Sequence, residues 1–212
     1  MGLTVHHSFE FHGSEKQVKE KLEKIREKVT QLPVENVGPL VQLNWKNGTD
    51  DPDSEIRWMK IQYTRSEQVD EHSWRDVYPE LGYGFTVVVG EGCEPMNIAL
   101  TRMKGKPHEW EGRSFCKDQY ASEFLKCHLL ITAILDICQE AGILKSVEDE
   151  GQFWESRDLK VLSESINQST AMLKEFAEVL KKVLPEGMEF VAGVDNCENY
   201  VVVNHKEQEE GR

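Results

Sequence analysis

Two short stretches of this chain concentrate the residue types that perform chemistry. Trp110, Arg113, Phe115, Cys116, Lys117 and Tyr120 lie within eleven positions, and Asp149, Glu150, Phe153, Trp154, Glu155 and Arg157 lie within nine. Cys116 adjoins Lys117 and precedes an apolar helical pattern, and both a neighbouring cation and a helix N-terminus lower a thiol pKa. His128 is the candidate base for that thiol. A straight helix carries it well past Cys116, so the pair needs the cysteine segment to fold back. Asp149, Glu150 and Glu155 beside Arg157 form a second candidate, because paired carboxylates divide acid and base roles when burial separates their pKa values. The plainer reading of these groups is a buried thiol, a helix-edge histidine, a solvated loop and a helix cap.

Loops normally carry small polar residues, so large rings and guanidinium groups in two connectors point to a contact surface. On that ground Trp110, Arg113, Phe115, Lys117, Tyr120, Trp154 and Arg157 are expected to form an aromatic and cationic recognition site. The expected role is non-catalytic binding of a ligand or partner, small molecule or protein. The alternative is a small cytosolic hydrolase or transferase using Cys116 or the three carboxylates. The competing structural role for the aromatics is to pack the helix ends onto a sheet.

Metal and cofactor sites are not expected. His6 and His12 share a strand face with Glu10, but six residues of regular strand separate the two imidazoles by roughly 20 Å. The Asp50–Glu55 run lacks the turn glycine and distal glutamate of a calcium loop. Gly82-Tyr-Gly84 and Gly90-Glu-Gly92 precede no helix that would cradle phosphate.

These residues must be positioned by elements whose patterns are partly readable. Leu3, Val5, His7, Phe9 and Phe11 alternate with polar residues in the period of a half-buried strand. Ser14 with Gln17 forms a capping box for a helix whose stripe is Val18, Leu22, Ile25, Val29 and Leu32. Strands are predicted over 40–46, 55–64, 84–90 and 95–103. A buried helix follows over 119–141 with Tyr120, Phe124, Cys127, Ile131, Ile134, Leu135 and Cys138 on one face. A short strand over 143–148, a helix from the Asp158 cap to Leu184, and a hairpin over 188–194 and 199–204 complete the order. This order predicts an α+β fold, a mostly antiparallel sheet with three helices packed mainly on one face. Residues 1–204 read as one domain with a frayed acidic tail over 205–212, and a weaker break falls near Gly105.

Ser114-Phe-Cys-Lys117, Phe124-Leu-Lys-Cys-His128 and Asp149-Glu-Gly-x-x-Trp154-Glu-x-Arg157-Asp158 resemble strings in a group of uncharacterised prokaryotic proteins. The resemblance covers the C-terminal half. No activity is assigned to that group, so it implies no role for any residue here.

The 38 Asp and Glu against 25 Lys and Arg give a formal charge of -13, which repels phosphate backbones and anionic lipid over long range. Nucleic acid and membrane are therefore not expected partners, whereas self-association through a helical face remains open. Five scattered cysteines do not form a disulfide framework, and no run reaches the roughly 20 apolar residues of a membrane span. A cytoplasmic protein is expected.

Overall fold

The computed structural model describes residues 3–118, 121–165 and 167, and the backbone of 188–192 and 201–205. Its first two elements follow the sequence pattern closely. In β1 (Thr4–His12) Val5, His7 and Phe9 turn inward, while His6, Glu10 and His12 are exposed. In α1 (Glu15–Val29) the capping box is formed, with the Gln17 amide donating to Ser14 Oγ at 3.4 Å and the Ser14 amide donating to Gln17 Oε1 at 2.9 Å. Val18, Leu22, Ile25 and Val29 are its buried stripe.

Then follow β2 (Asn36–Val37), β3 (Val41–Leu43), α2 (Ser54–Gln62), β4 (Arg65–Gln68), β5 (Trp74–Val77), β6 (Leu81–Val88), β7 (Met96–Arg102) and β8 (Glu109–Lys117). After β8 come α3 (Phe124–Glu140), β9 (Leu144–Asp149) and α4 (Phe153–Ser156). A further helix starts at 159, and β10 (Met188–Ala192) pairs antiparallel with β11 (Val201–His205) as a separate ribbon.

The main sheet has seven strands in the order β2-β6-β7-β8-β1-β9, with β3 also on β6, and every pairing is antiparallel. The α+β class and the antiparallel sheet are thus as expected. The helix count is not, since five helical segments occur among the described residues rather than three. The main discrepancy is α2, which occupies most of the predicted strand 55–64. Asp53 caps it by accepting from the Glu55 and Ile56 amides at 2.9 and 3.1 Å. Ile56, Met59 and Tyr63 then recur at helical spacing against Leu43, Trp45 and Ala99. Burial of that stripe outweighs the β-branched and aromatic content that suggested a strand.

The helices also divide between the two faces. α1 and α3 contribute to the larger core with Phe9, Phe85, Ile98, Leu100 and Trp110, whereas α2 covers the opposite, outer face over β6 and β7. Gly84 permits that approach, because a Cβ there would lie 2.9 Å from Met59 Sδ. On the outer side of β8, β1 and β9, Arg113, His6, Glu10, Ser146 and Glu148 are exposed. Ile166, the predicted continuation of the last helix to Leu184, the loop between the two predicted hairpin strands and the tail after 205 lie outside the described residues.

Candidate functional site

The stretch Trp110–Lys117, expected as a loop, is the central strand β8, and its alternation sorts the predicted site residues. Even positions face the helices. Trp110 is 1% exposed, its Nε1 donates to the Gly13 carbonyl at 3.0 Å, and the Arg102 guanidinium lies 5.2 Å from its ring centroid. Trp110 is therefore a core anchor, which corrects its placement in a recognition loop. Odd positions face outward, so Arg113, Phe115 and Lys117 share one side of the strand. Tyr120 lies outside the described residues.

This outward row forms a small platform with β1. Phe115 is opposite His6, with ring centroids 5.9 Å apart, and Lys117 Nζ lies 5.8 Å from the Phe115 centroid. Arg113 is opposite Ser8, and His6 in turn is opposite Glu148 of β9. Of the neighbouring acids, Glu111 pairs with Arg65, Glu10 pairs with Lys145 at 2.6 Å and Glu150 accepts the Thr4 amide at 2.8 Å, while Glu148 is exposed beyond His6. Among the described residues neither Arg113 nor Lys117 forms an ion pair. The platform thus presents a half-buried aromatic ring between two cations without counterions.

Trp154 and Arg157 belong to a different corner. Arg157 lies 4.2 Å over the Trp154 ring and forms a fork to Asp136 at 2.8 and 2.9 Å. Its backbone is left-handed, with φ of 53°. This guanidinium is already neutralised, and Glu155 beside it is exposed.

The proposed catalytic groups are brought together only in part, around His128. Its Nδ1 lies 2.7 Å from Asp118 Oδ2 and its Nε2 lies 3.1 Å from Asp149 Oδ2, with all three side chains removed from solvent. Asp149 also accepts from the amides of Gly151, Phe153 and Trp154 at 2.7 to 2.9 Å. Burial opposes a charged His128, but the hydrogen bonds and charges of the two aspartates prevail and raise it to about 9. Burial also opposes ionisation of Asp149, yet His128 and the backbone donors hold it below the usual carboxylate range. Asp118, with Oδ1 unpartnered, is raised by its burial. Phe124 stacks on the imidazolium at 5.6 Å. The hub ties the ends of β8 and β9 to α3, and its histidine has no ring nitrogen left for a nucleophile.

Cys116 lies within β8 rather than before a helix. It is fully buried, its thiol donates to the Glu94 carbonyl at 3.0 Å, and burial with the Asp118 and Glu94 charges pushes its pKa well up. An activated nucleophile needs the opposite shift. Asp118 is not singled out by residue type or spacing; its one signal in the sequence is a carboxylate immediately after a strand, ten residues before a histidine. Among the described residues no group of three or more His, Cys, Asp or Glu side chains is arranged to hold a metal ion. A groove of about 510 Å³ between α1 and the end of β1 is lined by residues such as Phe11, His12, Lys21 and Lys24, none of them predicted site residues. Comparison with known proteins found no matching family model, no matching curated protein and no matching solved structure.

Proposed function

We propose that this is a non-catalytic binding protein whose recognition surface is the outer platform of β8 and β1. The supporting observation is Phe115 set between Arg113 and Lys117, which form no ion pair among the described residues, on an open strand face beside His6. A ring supplies contact area at low entropic cost, and a free guanidinium supplies a directional fork for a carboxylate or phosphate. The favoured ligand, whether a small molecule or a segment of a partner protein, places an anionic group next to an apolar one. A cytoplasmic setting accords with four free cysteines among the described residues. No helix of the described residues is long and apolar enough to cross a membrane.

The test uses phenyl phosphate as probe in an amide-resolved NMR titration. Saturable shifts confined to β8 and β1, and lost in the Arg113→Glu/Phe115→Ala double variant, are expected. Shifts located elsewhere, or unchanged in a folded double variant, would remove the platform assignment.

A further inference from the structure

Three cysteines distant in sequence meet at one turn. That turn, over 89–95, joins β6 to β7, and Gly92 within it has a left-handed backbone with φ of 80°. The Cys93 amide donates to the Gly90 carbonyl at 3.1 Å and closes the turn. Cys127, near the start of α3, rests its sulfur against the same backbone, since a Cβ on Gly90 would lie 2.6 Å from Cys127 Sγ. Cys116 arrives from the end of β8 and donates to the Glu94 carbonyl at 3.0 Å. The Glu94 amide donates to the Lys117 carbonyl at 2.8 Å, and the Ser122 amide donates to the Glu91 carbonyl at 3.1 Å, so the turn is held to both neighbouring elements.

The three thiols are not equivalent. Cys116 is fully buried and its hydrogen is committed to a carbonyl. Cys93 is half-buried and in hydrogen-bonding contact with Cys127, which is 2% exposed. Both are free thiols. A disulfide requires adjacent sulfurs on backbones that approach closely, and this pair meets on one glycine-containing turn.

We propose that Cys93 and Cys127 are a modification site, forming a reversible disulfide by exchange with a small-molecule disulfide such as oxidised glutathione. The Cys93 thiolate attacks the incoming disulfide, expels one thiolate and becomes a mixed disulfide. The Cys127 thiolate then attacks the Cys93 sulfur and expels the second thiolate. The two cysteines lose two protons and two electrons, and the incoming disulfide is reduced to two thiols. Burial, with the neighbouring thiols, pushes the Cys93 pKa up, and burial does the same to Cys127. Thiolate is therefore scarce and the exchange slow, so the pair is selected by proximity rather than by acidity. The bond closes a loop of about 35 residues and ties the turn to a helix start whose N-cap, Glu123, makes no side-chain cap bond. His128 follows Cys127 directly, so the same link fixes the part of α3 that bonds Asp118.

The test incubates the folded, full-length chain with oxidised glutathione, quenches it with acid and maps its peptides by mass spectrometry without reduction. A Cys93–Cys127 cross-link that dithiothreitol removes is expected, together with a melting temperature several degrees above that of the reduced protein. Cys127→Ser should stop the reaction at the mixed disulfide on Cys93, and Cys116→Ser should cross-link as the wild type does. No cross-link in the folded wild type, a link that instead involves Cys116, Cys138 or Cys197, or equal yield of the Cys93–Cys127 link from the urea-unfolded chain would overturn the proposal.

Discussion

His128 and His7 are both removed from solvent, yet their surroundings drive them in opposite directions. His128 has a folded pKa of about 9, above the unfolded value of 6.5. Its contribution is complete below pH 6.5 and is lost as pH rises through 9. His7, lowered to about 4, acts in the reverse sense: the folded state is favoured above pH 6.5 and penalised as pH falls towards 4. Each shift corresponds to about 3 kcal/mol. Urea denaturation across pH should therefore show greatest stability near pH 6.5. His128→Gln should flatten the alkaline decline, and His7→Phe should remove the part of the acid decline between pH 6.5 and 4. Residue types alone suggest His128 as a base for Cys116, but its function in the fold depends on Asp118 and Asp149, and no spacing rule foretells which carboxylates a buried imidazole meets. His7 was legible as an inward position on β1, whereas its setting beside the Asn97 backbone depends on where β7 and β8 separate.

At the scale of elements, β8 and α2 were misread for related reasons. Trp110-Glu-Gly-Arg-Ser-Phe-Cys-Lys117 has a strand's alternation, but its inward positions include Gly112 and Ser114 rather than large apolar residues, so the apolar signal was weak. Those small residues are the ones that admit Tyr63 and Gln62. α2 looked extended because Ile, Trp and Tyr favour strands, while the Asp53 cap and the spacing of Ile56, Met59 and Tyr63 pointed to a helix. The joint between the two elements gives a direct test. Tyr63→Phe leaves two β7 backbone groups without their partner and should cost about 1–3 kcal/mol. Gly112→Ala should destabilise by a similar or larger amount through overpacking. Urea midpoints compared with wild type check both, and an unchanged midpoint for Tyr63→Phe would mean that the hydroxyl's bonds to the Asn97 carbonyl and from the Ala99 amide, each 3.0 Å, contribute nothing to stability.

Across the whole molecule, the aromatic residues divide into those that hold the layers together and those left on the surface. Trp110→Ala should cost about 3–5 kcal/mol, because it empties a site between β8, Tyr83 and the α1 entry turn at Gly13. The Arg113→Glu/Phe115→Ala variant should lose far less, about 1 kcal/mol or below, since both side chains lie on the outer face. Thermal or urea unfolding of the two variants measures this difference directly, and an equal loss would mean that the platform is part of the core. Native Cys116 should likewise react with iodoacetamide no faster than a free thiol at pH 7, as its burial and raised pKa dictate.

By itself, the sequence determined what local periodicity and capping encode: the inward face of β1, the capping box and stripe of α1, the apolar breadth of α3, the Asp158 cap whose Oδ1 accepts the Lys160 amide at 2.8 Å, and the antiparallel α+β character. These depend on contacts within a few residues or on a repeating pattern of burial. The tertiary structure decided that Trp110 turns inward while Arg113, Phe115 and Lys117 turn outward, that Trp154 and Arg157 form a separate corner, and that His128 is clamped by two aspartates. Those outcomes rest on pairings between distant positions, such as the Thr4 amide with Glu150 and Ser8 with Ser146. Strand register sets which face each residue occupies, and a shift of one residue would reverse every assignment.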